Sequence, residues 1–416
     1  MLLTFFSSAP AQATYSWNVQ VVDENSTTGG SSPIAVDSNN IAHIAYTASV
    51  NGTPYAMYAS WNGTGWSTQI AVAEAIVTSL VLDKNNNPHM LYYNLPLWSL
   101  MYTSWTGTQW RTRETGITDV GVNPALALDA DGNPHIAYVS GNALKYNSWT
   151  EAGCSTQTVD NVPEGGGLSS LTFGSNNTAY ILYHVPSSYQ DNSTGQKYQS
   201  MDIKLTSLND SVWNIQTVPL PQPLFDNGNL VLDTKGNPHF VCTQVRYRSS
   251  EDMNLFVTLL YASWNGSTWG TQTIVSDLQP THYFEPSGSL HLDSNDTPNI
   301  ASFVEAFSKI TYISWNCSAW NIQGLTLDRP SDFSVSLALD GNGNPHISYR
   351  AQSPVRFRAP LICATATETT PSSDLPNIPY LTSLAVAAVG AFTVVTLVIV
   401  VGAFVWKRKE PIKKMQ

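Results

Sequence analysis

The feature that most constrains this chain is a repeat whose last copy is missing a piece that turns up at the other end. Leu126 to Trp149 (LALDADGNPHIAYVSGNALKYNSW) shows the unit. An apolar strand ends in Asp129, a tight turn runs through Gly132-Asn133-Pro134, a second strand follows as His135-Ile136-Ala137-Tyr138, and a third ends in Tyr146-Asn147-Ser148-Trp149. The Asp-turn pattern recurs at Asp37 (with His43), Asp83 (Asn87-Pro88-His89), Asp233 (Asn237-Pro238-His239), Asp293 (Pro298-Asn299) and Asp340 (Asn344-Pro345-His346). A degenerate copy, Ser170-Leu171-Thr172-Phe173-Gly174, keeps strand and turn without the Asp and brings the number to seven.

A second pattern, Ser-Trp, turn, Trp, follows in Ser60 to Trp66, Ser104 to Trp110, Ser263 to Trp269 and Ser314 to Trp320. Cys154 replaces the final Trp after Ser148, and Leu208 the first Trp after Ser207. A further strand then begins with Trp (or Cys) and has Gln three residues on: Trp66 and Gln69, Cys154 and Gln157, Trp213 and Gln216, Trp269 and Gln272, Trp320 and Gln323. The unit after Asp340 lacks this strand, and the missing copy is Trp17-Asn18-Val19-Gln20-Val21-Val22. An open solenoid has no use for such a displacement. A closed ring does, because it ties the last unit to the first and leaves no unpaired end. Four strands in a period of about 44 to 60 residues is the propeller signature. The sequence therefore predicts an all-β, seven-bladed β-propeller of four-stranded blades over residues 14–362, closed by an N-terminal strand. Composition agrees: charged residues make up 12%, against 13 Trp and 19 Tyr, as expected for short strands with large aromatic packing surfaces.

The repeated polar residues read as scaffold. Asp accepts bonds from the turn backbone, Gly supplies positive φ and Pro stiffens the exit. Asp129-Asp131-Asn133 resembles the start of a calcium loop, but no Glu closes the twelfth position and carboxylates are few, so no metal is assigned. His43, His89, His135, His239 and His346 occupy one position in different blades. They are expected to pack between blades with their ring nitrogens satisfied by turn carbonyls, rather than converge on an ion. The Trp and Tyr positions are expected to be apolar wedges between blades.

The Ser-x-Asn-Gly-x-x-Trp turns resemble a degenerate Asp-box, the third-to-fourth strand turn of sialidase-like propellers, with Asn or Thr where that family has Asp. The resemblance implies the propeller fold. In that family the boxes lie on the face away from the active site and carry no activity over. A sialidase-like enzyme would need three arginines on a carboxylate, a Tyr activated by Glu, and an acid Asp. Arg111, Arg113, Arg246, Arg248, Arg329, Arg350, Arg356 and Arg358 yield no assignable triad. Phosphate-loop, serine-hydrolase, zinc-protease and Cys-x-x-Cys motifs are absent. No catalytic residue and no cofactor are assigned.

The functional face is expected opposite the repeat turns, where the copies differ most. Blade four has a long loop, His184 to Asp202, with Tyr189 and Tyr198; blade five has Arg246 and Arg248 in Arg246 to Asp252; and between blades five and six lie His282, Tyr283, Phe284 and Glu285. Aromatic rings beside charged groups suit both sugar binding and protein interfaces.

The ends set the location. Residues 1–13 read as the remnant of a signal peptide, with Ala11-Gln12-Ala13 as a small-residue cleavage site. Residues 363–380 read as a Ser/Thr/Pro stalk. Residues 381–406 are uncharged and would span about 39 Å as a helix, enough to cross a bilayer core. Residues 407–416 are a basic cytoplasmic tail. Net charge is −11, and the tail's five bases and one acid leave −15 for the rest, which argues against nucleic acid. Sequons at Asn25, Asn51, Asn62, Asn176, Asn192, Asn209, Asn265, Asn295 and Asn316 predict glycosylation of an exported surface. An oxidising location allows bridges among Cys154, Cys242, Cys317 and Cys363. A Cys317–Cys363 pair, read as lying in equivalent turns of blades six and seven, would pin the propeller where it meets the stalk. The expected protein is a membrane-anchored, cell-surface propeller that binds glycans or surface proteins without catalysis. A sialidase-like glycoside hydrolase and a structural envelope component are the alternatives.

Overall fold

The computed structural model describes residues 14–26, 31–121, 123–150, 153–190, 195, 197–247, 255–278, 288–304, 309–325, 330–351 and 359–369. They form seven antiparallel sheets, the blades of a propeller. Blade 1 is β2 (Ile34–Val36), β3 (Ala42–Val50), β4 (Thr53–Trp61) and β5 (Trp66–Ala73). Blade 2 is β6 (Ala75–Leu82), β7 (Pro88–Asn94), β8 (Ser99–Trp105) and β9 (Trp110–Ile117). Blade 3 is β10 (Ala125–Leu128), β11 (Pro134–Ser140), β12 (Ala143–Thr150) and β13 (Gly153–Asn161). Blade 4 is β14 (Gly167–Phe173), β15 (Ala179–Gln190), β16 (Lys197–Asn209) and β17 (Val212–Thr217). In blade 5 the first strand is split into β18 (Leu224–Asn227) and β19 (Val231–Leu232), followed by β20 (Pro238–Tyr247), β21 (Leu255–Trp264) and β22 (Trp269–Leu278). Blade 6 is β23 (Gly288–Leu292), β24 (Pro298–Val304), β25 (Lys309–Trp315) and β26 (Trp320–Gly324).

Blade 7 closes the ring. It runs β27 (Pro330–Leu339), β28 (Pro345–Ala351), β29 (Leu361–Thr369), and its outer strand is β1 (Thr14–Asp23). Trp17 takes the place that Trp holds in other fourth strands, 5.5 Å from the Tyr312 ring of blade 6 and nearly perpendicular to it. Equivalent pairs are Tyr58–Trp110, Tyr146–Trp213 and Tyr261–Trp320, with centroids 5.4, 5.0 and 5.4 Å apart. The sequence pattern explains the alternation. Successive side chains of a strand point to opposite faces, so Trp meets the preceding blade and Gln, three residues on, meets the following one. Gln157 Oε1 accepts from Trp213 Nε1 at 2.9 Å, and Gln20 Oε1 of β1 accepts from Trp66 Nε1 of blade 1 at 3.1 Å. Gln323 of blade 6 donates to the Tyr15 carbonyl at 3.1 Å. Fully buried Arg350 reinforces the closure: its Nε donates to Ser26 Oγ at 3.1 Å and its guanidinium to the Ser31 carbonyl at 3.3 Å.

The hydrophobic core is accordingly divided among the blade interfaces. One cluster joins Leu144 and Tyr146 of blade 3 to Leu168, Ile181 and Tyr183 of blade 4, and another joins Tyr46 and Ala59 of blade 1 to Ala338 and Cys363 of blade 7. The innermost strands meet around a central channel, where side chains link neighbours: Ile34 N donates to Ser336 Oγ, Leu337 N to Ser289 Oγ, and Asn229 exchanges two bonds with Leu290. Between blades 5 and 6, a Cβ on Gly228 would stand 2.2 Å from the Gly288 carbonyl oxygen, so only glycine fits there.

Three expectations change. Residues 363–369 belong to β29 and not to a stalk: Thr is a good strand former, and Cys363 and Ala364 are buried on opposite faces of the strand, towards blades 1 and 6. The Cys317–Cys363 bridge is not formed. Cys317 is exposed in the β25–β26 turn, whereas Cys363 is buried within β29, where its pairing with Ser348 matches that of Tyr58 with Ala45. It stands in the position of the third-strand Tyr and packs towards blade 1. Third, much of the His184 to Asp202 loop is an extension of the β15–β16 hairpin, with Tyr189 opposite Tyr198. Residues 1–13 and 370–416, including the predicted leader, most of the stalk, the membrane helix and the tail, lie outside the described residues. Among the described residues no helix is long and apolar enough to cross a membrane.

Candidate functional site

The face bearing the first-to-second strand turns holds the repeated Asp, Asn and His. Asp129 Oδ1 accepts from the backbone N–H of Asp131 at 3.0 Å and Asn133 at 2.7 Å, and Oδ2 accepts from Asn133 Nδ2 at 2.9 Å. His135 Nε2 lies 3.3 Å from the same Oδ2, and the Tyr146 hydroxyl donates to His135 Nδ1 at 2.6 Å. Asp83 with His89 and Tyr102, and Asp233 with His239 and Tyr261, repeat the arrangement. Asp37 with His43 and Tyr58 does so with Asn39 Nδ2, at 3.4 Å, donating to Oδ2 in place of the turn-exit Asn. The histidines therefore meet a carboxylate and a phenol, not the turn carbonyls expected from sequence. Blade 6 has Asn299 for His, accepting from Tyr312 at 2.5 Å. In blade 7 Cys363 replaces Tyr, and His346 Nδ1 has no hydrogen-bond partner.

Burial holds all five histidines below their ordinary value, although each aspartate pulls the other way. At 3.3 to 3.8 Å these His–Asp contacts are neutral rings against a carboxylate rather than ion pairs. Burial tends to raise the Asp129 carboxyl, but the bonds from Asn133 and His135 outweigh it and hold the group low. Burial pushes the Tyr58 and Tyr102 hydroxyls up to about 12. These groups meet one another inside their own blades, although His43 Nε2, His239 Nε2 and His346 Nδ1 make no hydrogen bond, and their shared role is structural.

The turns also join neighbouring blades. In each, one residue adopts the left-handed conformation that Asn, Asp and Gly tolerate best. Where it is Asn or Asp, its side chain caps the preceding blade's turn. Asn40 Oδ1 accepts from Gly341 N at 2.7 Å, Asn86 Oδ1 from Ser38 N at 3.4 Å, Asn177 Oδ1 from Ala130 N at 2.8 Å, and Asp296 Oδ1 from Thr234 N at 2.8 Å. Gly132, Gly236 and Gly343 fill the position in blades 3, 5 and 7 and can offer no such bond.

The opposite face is where the copies diverge. A cavity of about 920 Å³ occupies the channel and opens beside blades 2 and 3. Its wall there is built by the β7–β8 hairpin and the link from β9 to β10. Tyr93, at the end of β7, donates its hydroxyl to the Gly121 carbonyl at 2.7 Å, which pins hairpin to link, and burial pushes that hydroxyl up to about 12. The hairpin itself is fixed by Leu95 N to the Glu74 carbonyl at 2.9 Å and Leu97 N to Asn94 Oδ1 at 3.0 Å. At its tip Trp98 takes φ of +47°, and its side chain stands 72% exposed on the cavity rim next to Leu97, itself 63% exposed. A bulky residue in the left-handed region costs on the order of 1–3 kcal/mol and persists where its surroundings enforce it. Asp119 faces the same opening, with Oδ2 accepting from Ser140 Oγ at 3.2 Å, and Lys145 Nζ donates to that Ser140 oxygen at 3.3 Å.

Of the ligand-binding residues chosen from sequence, Tyr189 is not among the described residues that line this cavity. Tyr189 stands half-buried on the β15–β16 extension, Tyr198 lies opposite it, and Arg246 is placed in β20. Arg248, His282, Tyr283, Phe284 and Glu285 lie outside the described residues. His184, the first residue of the loop singled out in blade four, does line the cavity. Trp98 was missed because Leu95-Pro96-Leu97-Trp98 is short and apolar; an uncharged Trp in a tight hairpin was the available signal. Asn192 lies outside the described residues. Six of the other sequons, Asn62, Asn176, Asn209, Asn265, Asn295 and Asn316, stand on the turn face, in third-to-fourth or first-to-second turns, while Asn25 and Asn51 stand on the opposite one.

No protein-family model and no curated protein sequence matches the chain. Among solved structures, the polysaccharide lyase Uly1 aligns over 82% of this chain and 90% of its own, at 10% identity and a TM-score of 0.47. Drosophila Plexin A, in complex with Semaphorin 1b, aligns over 83% and 86%, at 8% identity and 0.46. A Trypanosoma rangeli sialidase in complex with sialic acid aligns over 86% and 59%, at 10% identity and 0.43. Similarity at this level concerns the course of the backbone and not the chemistry of a site.

Proposed function

We propose that this chain is a non-catalytic binding propeller, displayed outside the cell on a C-terminal membrane helix, that takes a glycan at the channel mouth between blades 2 and 3. The observation that carries the reading is Trp98, an exposed indole held in a strained backbone on the rim of a large cavity. An aromatic face receives the C–H side of a sugar ring, and nearby Asp119 supplies an acceptor for its hydroxyls. Sugars on the six turn-face sequons would leave this mouth clear. The apolar run of residues 381–406, followed by Lys407, Arg408 and Lys409, motivates the anchor.

A glycan array probed with the full chain in detergent tests the reading. Specific hits are expected, and Trp98→Ala should weaken them about tenfold or more, the scale of one lost aromatic contact. Hits that Trp98→Ala leaves intact would move the site elsewhere. Hydrolysis of the bound glycans, abolished by Asp119→Asn, would instead establish the glycosidase alternative.

A further inference from the structure

Blade 4 departs from the repeat at three positions that face blade 5 or its own outer hairpin. Tyr180 stands where five other blades have His, Leu205 where five have Tyr, and Leu208 where five have Trp. The registers fix the equivalence: Leu205 pairs with Leu182 as Tyr58 pairs with Ala45 and Tyr261 with Val241. With a leucine in place of the phenol, Trp269 of blade 5 turns its ring onto Phe240 of its own blade, at 5.5 Å. A cavity of about 220 Å³ is left between blades 4 and 5, apart from the central channel. Its walls are the Tyr180 and Trp264 rings, and its polar groups are Ser207, Asn214, Gln216 and Asn237.

We propose that this interblade cavity is a second binding site, for a single neutral sugar ring. Its size is below the range of about 300–1000 Å³ that holds drug-sized ligands, which suits one monosaccharide or the end of a glycan. Two aromatic walls offer C–H stacking. The polar groups are amides and a hydroxyl, able to donate and accept, and no charged side chain lines the space. Asn237 is pre-oriented, since its Nδ2 donates to Asp233 Oδ2 at 2.8 Å and its carbonyl oxygen remains as an acceptor. The bond that Gln157 of blade 3 accepts from Trp213 of blade 4 is not made here: Gln216 lines the cavity, and Trp269 Nε1 has no partner, as is also the case for Trp17, Trp110 and Trp320. The site stands independently of the channel mouth.

The test uses the full chain and methyl glycosides of glucose, galactose, mannose, fucose and N-acetylglucosamine, read by saturation-transfer NMR. At least one should saturate. Leu205→Tyr, which restores the side chain that five other blades carry there, should abolish binding by filling the space. Gln216→Ala, at an exposed position, should weaken it several-fold, both variants being read in the Trp98→Ala background so that the channel mouth contributes no signal. The chain's own glycans at the flanking Asn209 and Asn265 could supply the same chemistry, so Asn209→Gln and Asn265→Gln are measured in parallel. Binding that appears only in those variants would show that the chain's own sugar occupies the site. Binding undiminished by both Leu205→Tyr and Gln216→Ala, binding abolished by Trp98→Ala, or no binding in any form would overturn the proposal.

Discussion

Asp129 shows how much of this molecule is decided by single side chains. Its two carboxylate oxygens accept from two backbone amides and one side-chain amide, all within four residues, and its Oδ2 also faces His135. A residue so engaged has little left to offer a ligand. Asp129→Ala strands these donors in a part-buried turn and is expected to cost about 1–3 kcal/mol, the penalty for unmade buried bonds. Urea unfolding of the variant measures this. A midpoint unchanged from wild type, or a wild-type midpoint that rises on adding calcium, would show that the turn is not the self-contained unit described. The aspartate's role as a turn former could be read from the pattern Asp-x-x-Gly-Asn-Pro, because the bonds are local. The partners of His135 could not, since Tyr146 reaches it across the neighbouring strand.

At the scale of the strand, β1 is the element on which the ring depends. It places Trp17 against Tyr312 of blade 6 and Gln20 under Trp66 of blade 1, so one strand engages both neighbours. Trp17→Ala is expected to cost about 2 kcal/mol, less than a fully buried Trp because the indole is half-buried. Removing residues 14–23 should lower the melting temperature far more and broaden the transition, as blade 7 loses its outer strand. A truncated chain that melts as sharply and as high as the whole would refute the closure. This strand was legible because Trp17 and Gln20 keep the spacing seen in five other places. Strand β29 was not. Its CATATET run reads by composition as a stalk, and its conserved geometry is carried by small buried side chains, Cys363, Ala364 and Ala366, in place of the Tyr-x-Ser-Trp signature. The channel mouth is illegible for a related reason: Trp98 gains its meaning from a backbone angle and from the β9–β10 link, which Tyr93 bonds at Gly121, 28 residues on, and periodicity reports neither.

For the whole molecule, the same buried histidine repeated in five blades makes acid a shared stress. Burial holds these groups below their usual 6.5, so the native ring stays neutral where the unfolded chain takes up protons. Stability is therefore complete above about pH 6.5 and falls as the pH drops from there towards the native values. The aspartates Asp37, Asp83, Asp129, Asp233 and Asp340, held below 3.8, add a second loss as the pH falls through their native values. Thermal scans should show a level melting temperature from pH 8 to 7, a decline between 6.5 and 5, and a further decline below 4. A melting temperature that stays level or rises from pH 7 to 5 would contradict the neutral, buried state of these rings.

The choice between asparagine and glycine at one turn position has a mechanical consequence. Caps join blade 7 to 1, 1 to 2, 3 to 4, and 5 to 6, so on the turn face the circle is segmented into a group of three blades and two groups of two. The three joints between groups fall at blades 2–3, 4–5 and 6–7. The Trp98 mouth lies over the first and the small sugar-sized cavity within the second. Both recesses thus coincide with joints that no turn cap bridges.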